Sequence, residues 1–317
     1  MYQRRRKIVF VLTVLTMTLS SVANAQTTRP RFPSHKPKPK LDPALAVLWR
    51  EPTDIKTRDL YWGPGGQEHA PKGNLTFIQE KFAGYSPKFD VRDENGVRWG
   101  IKLGGEARPE VAATRLVWAV GYFTNEDYYI AELPEKIFRR LSRGQEHISG
   151  DKVQGARLKR HLKGEAKIAD WSWEKNPFAG TKELNGLEVM MELICNTDLK
   201  TANQHVYDEK HLEQVYIAAD LGESFGKAGE SGTFRQSKGV LKDYQSRPLI
   251  RTAGPDYIDF WHFKHIPRAD AKWIGGYLAQ LSEAQISDGF RAAGFSEEEV
   301  KGFTKKVRDK IDELNCL

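Results

Sequence analysis

Four short stretches of the chain combine the residue types that phosphate chemistry needs. Lys102 lies in the alternating run 97–103, which reads as a strand. Glu106 and Glu110 flank the start of the apolar-striped segment that follows, and Pro109 suits the first turn of a helix there. Much later comes Asp198-Leu-Lys-Thr-Ala-Asn203, and Asp220-Leu221-Gly222 closes the short apolar run 215–219. Each is weak alone. In this order they offer a cation for a polyphosphate, a carboxylate to hold that cation, and hard oxygen ligands of the kind Mg²⁺ prefers. A further carboxylate can accept or orient the proton of an acceptor hydroxyl.

Several elements must position these groups. Strand-like runs at 75–80 and 88–92 flank a bend, Phe82-Ala-Gly84-Tyr-Ser86-Pro87, and Asp93-Glu-Asn-Gly96 reads as a hairpin turn. Strand alternation puts Val97, Trp99, Ile101 and Leu103 on one face and Lys102 on the other. Val111, Leu116, Val117 and Val120 predict a helix ending at Gly121, and Leu184, Leu187, Met191 and Ile194 predict a buried one running into Cys195. Ser282 with Gln285 and Ser296 with Glu299 are capping-box pairs, the second opening a stripe of Val300, Phe303, Val307, Ile311 and Leu314. The basic run Arg157-Leu-Lys159-Arg160-His161 reads as a solvated face, and Trp171 and Trp173 as core anchors. Gly63-Pro-Gly-Gly66 reads as a plain turn, since no Lys-Ser/Thr follows it.

The four chemical elements resemble the protein-kinase-like superfamily, in particular atypical bacterial members with the layout of HipA-type and secretory-pathway kinases. Asp198-Leu-Lys-Thr-Ala-Asn203 is similar to the catalytic loop Asp-Leu-Lys-x-x-Asn. Asp220-Leu221-Gly222 is similar to the Asp-Phe-Gly metal motif, and Gly100-Ile101-Lys102 stands where the family has Val-Ala-Ile-Lys. The resemblance implies an α+β, two-lobed kinase-like fold, with a β-rich N-lobe over 48–165 and a larger helical C-lobe over 166–317. It implies Asp198 as catalytic base, Lys200 as a γ-phosphate contact, and Asn203 and Asp220 as Mg²⁺ ligands. Lys102 would meet the α- and β-phosphates of ATP, held by Glu110, with Glu106 as runner-up. Gly84 and Ser86 stand at the place of the glycine-rich phosphate-covering loop.

The departures are specific. Asn196-Thr197 precedes Asp198 where the family has His-Arg, no Ala-Pro-Glu follows Asp220, and the bend at 82–87 has one glycine. Activation by loop phosphorylation is therefore not expected. The function implied is Mg-ATP-dependent phosphoryl transfer to a Ser/Thr or other hydroxyl, on a protein or a small molecule. A kinase-fold nucleotide-binding scaffold and a nucleotidyl transferase are the alternatives.

Composition bounds the rest. The 317 residues are 39% hydrophobic and 29% charged, ordinary for a globular chain. The formal charge is +7, but Arg4, Arg5, Arg6 and Lys7 account for much of it; without residues 1–25, 45 basic residues face 42 acidic ones. That excess is too mild for a nucleic-acid partner. The basic start, the apolar stretch 8–22 and Ala23-Asn24-Ala25 predict a signal peptide cut after Ala25, hence a periplasmic or extracellular protein with no membrane span in the mature chain. Residues 26–47 are Pro- and Lys-rich and read as a linker. Cys195 and Cys316 are too few for a disulfide framework; a buried free thiol is expected at Cys195, with a bridge between the two left open.

Overall fold

Alternation in the first strands produces a sheet with two unlike faces, and that difference positions the site. The computed structural model describes residues 40–138, 142–162, 166–227, 237–246 and 248–317. The expected signal peptide and the linker up to residue 39 lie outside them. Within the last part of that stretch, Asp42 caps a 3₁₀ turn and β1 (Ala46–Val47) pairs with a later strand, anchored by the Gln214 side chain, which accepts from the Asp42 N–H and donates to the Lys40 carbonyl.

Next in the chain come β2 (Thr76–Lys81), β3 (Lys88–Arg92), β4 (Arg98–Leu103), the helix α1 (Ala107–Ala119), β5 (Asp127–Pro134), the short β6 (Ile148–Ser149) and β7 (Lys152–Arg160). The strands form one sheet in the order β2-β3-β4-β7-β5, with β6 on β7. The register places Phe89, Val91, Trp99, Ile101, Leu103 and Leu158 on one face, where they pack with Phe138 into a small apolar core. The same register turns Lys88, Asp90, Gly100, Lys102, Arg157, Lys159 and Asp127 to the other face. That face is covered too, so charged groups are buried on it.

α1 crosses behind this sheet, packed against β5 and β7 on one side and against a C-terminal helix on the other. Accordingly it is buried nearly all round, with Ala107, Val111, Ala112, Leu116 and Val117 enclosed together with Glu110, Thr114 and Arg115. It stops at Gly121, where φ is 101° and a Cβ would sit 2.3 Å from the Arg50 carbonyl oxygen.

The second half is helical, as expected, but it also carries two small sheets. β8 (Ala166–Asp170) leads to α2 (Lys182–Leu193), followed by β9 (Gln204–Glu209) and β10 (Glu213–Ala218), in the order β1-β10-β9-β8. Then come α3 (Leu241–Gln245), a three-stranded sheet of β11 (Thr252–Ala253), β12 (Tyr257–Asp259) and β13 (Ile266–Pro267), and α4 (Arg268–Leu278), α5 (Glu283–Ala292) and α6 (Glu297–Asn315). The architecture is thus α+β, β-rich first and mainly helical after. Both predicted capping boxes are formed, at Ser282 and Ser296. The α6 stripe from Val300 to Leu314 is buried in the main core, and Trp171 is buried with its indole N–H on the Ile217 carbonyl at 3.1 Å. No described helix is long and apolar enough to cross a membrane. Both cysteines are free thiols.

Candidate functional site

Lys102 is the centre of the buried charged face. It is 1% exposed, although it points away from the apolar core that holds its neighbours Ile101 and Leu103. Its ammonium lies 2.7 Å from Glu110 Oε2 and 3.0 Å from Glu106 Oε2, and it also contacts Asp220 Oδ1. Both candidate helix acids therefore reach it, Glu110 from the first turn of α1 and Glu106 from the position just before it. Burial alone would pull an ammonium down, but Glu110, Asp220 and Glu106 outweigh burial and the repulsion of Arg157, holding Lys102 above the ordinary lysine value. Conversely, burial pushes Glu106 up while Lys102 and Lys238 pull it down to about 2. Asp220 falls below the ordinary carboxylate range for the same reason, with Lys102 overcoming burial.

The basic run 157–161 is not a solvated face. It belongs to β7, whose pairing with β4 sets Arg157 opposite Lys102 and Lys159 opposite Gly100. Arg157 is buried, 2.9 Å from Glu110 and 3.6 Å from Asp127. Glu110 thus stands between two cations, which fixes its carboxylate beside Lys102. Burial pulls Lys159 down to about 8, helped by Arg157. Asp90 forms a second buried knot with Lys81 at 2.7 Å, Gln79 at 2.9 Å, His161 at 3.4 Å and Arg98. Sequence reasoning misses Arg157, Asp127 and Asp90. A signal exists for Asp90 and Arg157: β3 and the end of β7 alternate apolar with charged residues, which sets the charged ones on one face.

Asp220 arrives from the end of β10 in a left-handed conformation, φ 54°. Gly222 lets this turn approach α1 closely, because a Cβ there would meet the Glu106 Cβ at 2.6 Å. The Ala219 N–H donates to the Asn203 carbonyl at 3.2 Å, which sets Asn203 beside Asp220. Asn203 in turn donates its side-chain N–H to the Asp198 carbonyl at 3.1 Å. Asp198 pairs with Lys200 at 2.8 Å; Lys200 is otherwise exposed, and Asp198 raises it above the ordinary value. The structure therefore brings Lys102, Glu106, Glu110, Asp220, Asn203, Asp198 and Lys200 into one connected set. Lys238, which the sequence does not single out, joins it by bonding Glu106 and, at 3.0 Å, Glu223.

The bend residues border this set. The Gly84 carbonyl accepts from Arg143 at 2.9 Å, and Ser86 is buried beside a groove shared with Glu106 and Lys238. A cavity of about 230 Å³, bordered by Glu110, Arg157 and Asp220 of this same face, opens between Lys88, Gly100, His161 and His205. Lysine, arginine and histidine side chains dominate its polar border, so it is suited to an anionic ligand.

Among the described residues no cluster of three or more His, Cys, Asp or Glu could hold a metal. A magnesium ion needs less from protein, taking one or two protein oxygens and completing its octahedron with phosphate and water. Asp220 and Asn203 fit that need. The Asn203 amide nitrogen is engaged by the Asp198 carbonyl, which leaves its side-chain oxygen as the free end of the amide.

No family model matches this chain, and no curated protein matches it. Among solved structures, it is similar to the Golgi casein kinase at 8% sequence identity and a TM-score of 0.41, over 83% of this chain and 76% of that one. It is also similar to the Helicobacter pylori proinflammatory kinase CtkA, at 12% identity and a TM-score of 0.47, over 76% of this chain and 95% of that one.

Proposed function

We propose that the protein is a kinase-like phosphotransferase that moves a phosphoryl group from Mg-ATP to a hydroxyl acceptor outside the cytoplasm. One observation carries the reading: Lys102 meets Glu110 from α1 and Asp220 from the end of β10 at a single buried point. Lys102 binds the donor phosphates, and Glu110, clamped by Arg157, orients it. Asp220 and Asn203 hold Mg²⁺, which would offset phosphate charge. Asp198 orients the acceptor hydroxyl and takes its proton, and Lys200 neutralises the developing charge on the transferred group. The export part of the proposal rests on residues 1–25 alone.

A scaffold that binds nucleotide without turnover is the second reading. It is favoured by the direct engagement of Asp220 by Lys102 and of Asp198 by Lys200, which occupies both acids with cations of the chain itself.

The test is mass spectrometry of purified protein with Mg²⁺ and ATP, alone and with casein, paired with calorimetry of nucleotide binding. A gain of about 80 Da on the protein or on casein is the expected result, and a gain of about 329 Da would instead indicate nucleotidyl transfer. Asp198→Asn should keep Mg-ATP binding while turnover falls ~10²–10⁴-fold. Asp220→Asn should lose metal-dependent binding. Binding without any mass gain moves the assignment to the scaffold, and equal binding by both variants and the parent removes Asp220 as the metal ligand.

A further inference from the structure

Outside the sheet face, a second lysine is shut inside the protein. Lys310 of α6 is 1% exposed. Its ammonium nitrogen lies 3.3 Å from the Leu193 carbonyl and 3.3 Å from Cys195 Sγ, with the Tyr244 ring 4.1 Å away. Among the described residues no carboxylate sits within ion-pair distance of it. The charged groups that face it are Lys306 on its own helix and Glu192 on α2, and Glu192 is already bound to His262. An ammonium buried without a counter-ion is costly, which favours the neutral amine. Burial does pull Lys310 below the ordinary lysine value, with Cys195 opposing. A neutral amine is a nucleophile, and the atom in front of it is sulfur.

The cysteine has its own peculiarity. Cys195 sits just past the end of α2 with φ 54°, and the Asn196 N–H reaches back to the Met191 carbonyl at 2.9 Å, the pattern of a left-handed helix stop. Glycine is the residue at ease there, and a β-carbon is strained. The chain holds a thiol in that place, half-buried rather than sealed.

We propose that Cys195 and Lys310 are a peroxide-responsive pair that closes a covalent sulfur–nitrogen bridge between α6 and the end of α2. In the first step the Cys195 sulfur takes one oxygen from hydrogen peroxide, giving the sulfenic acid and releasing water. In the second the Lys310 lone pair attacks Sγ. The S–O bond breaks, and the hydroxyl leaves as water with one amine proton, so the product is Cys–S–NH–Lys. Sulfur is oxidised by two electrons, peroxide is reduced to water, and the protein loses two hydrogens. A small thiol reverses it by attacking Sγ and freeing the amine, after which a second thiol reduces the mixed disulfide. The bridge would tie α6 to the residue that opens the 196–203 loop, and its existence does not depend on phosphotransfer.

The experiment uses full-length chain carrying Cys316→Ser, so that no disulfide can form within one chain. After hydrogen peroxide its intact mass should fall by about 2 Da, and digestion should yield one peptide pair joined through Cys195 and Lys310, released by dithiothreitol. Lys310→Met and Cys195→Ser in the same background should show no such loss. If circular dichroism shows either variant unfolded, the joined peptides from the Cys316→Ser chain decide alone. Gains of about 16, 32 or 48 Da on Cys195 with Lys310 unmodified would overturn the proposal, as would a peroxide-treated protein of unchanged mass.

Discussion

The charged face of the first sheet and the aromatic core under α6 bury side chains in opposite ways. On the sheet, Lys102 and Arg157 are enclosed together with Glu110, Glu106, Asp127 and Asp220, each of the two cations beside a carboxylate. In the helical half, Phe225, Tyr244, Phe290, Phe295 and Phe303 fill the interior, with Phe290 stacked on Phe303 at 5.0 Å and 10°. Arg108 lies over Phe295 with Glu299 beside it, whereas Lys310 is fully buried and no described carboxylate pairs with it. Paired burial of charge is weak support for stability, because desolvation consumes most of the attraction. A chain that assembles such a network on one face gains geometry for charge chemistry. The aromatic half is where apolar burial supplies stability.

That contrast can be broken by substitution. Phe303→Ala should cost the most in stability, about 3–5 kcal/mol, because the cavity it leaves touches four rings. Urea melts should show this loss with little dependence on salt, and nucleotide binding below the transition should survive. Lys102→Met should cost about 3 kcal/mol, since it leaves Glu110, Glu106 and Asp220 facing one another without their common cation. It should also remove nucleotide binding. A Lys102→Met protein of parental stability would mean the face tolerates uncompensated acids and that its pairing is incidental.

The smallest effect sharpens the comparison at a third place. Glu188 on α2 is pushed up to about 7 from 4.5 by burial alone. Its neutral form is therefore the one the fold prefers. The unfolded chain ionises first as pH rises, so the stability present below pH 4.5 is lost progressively up to about 7. Glu188→Gln should raise stability by about 1–2 kcal/mol above pH 7, a figure reduced for partial solvent access, and leave it unchanged near pH 4. A pH-independent difference between the two proteins, read from melts at several pH values, would assign the effect to packing instead.

Much of the fold and part of the site are legible in the residue pattern. The β4 alternation places Lys102 on the face opposite Trp99 and Ile101, and the structure has it there. The α6 stripe and both capping boxes are readable because helix periodicity and N-caps are local. The site set is readable in part, since Lys102, Glu110, Asp198, Asn203 and Asp220 stand in recognisable short motifs.

The run 157–161 reads wrongly in isolation because a single strand does not say what covers its second face. Its arginine, lysine and histidine side chains look solvated until α1 and the residue-220 turn close over the sheet. Helical spacing does put Lys310 on the α6 stripe, three residues after Val307 and four before Leu314, but a lysine there reads as reaching out to solvent; its burial is set by how α6 packs against Tyr244 and Cys195. The sequence by itself determined the first strands, the main helices, their apolar faces and the order of the chemical motifs, because these depend on spacings within one turn or one strand. Only the tertiary structure decided which charges are buried and with whom. Register between strands and the approach of distant segments, such as Gly222 against Glu106, fix those contacts across more than a hundred residues.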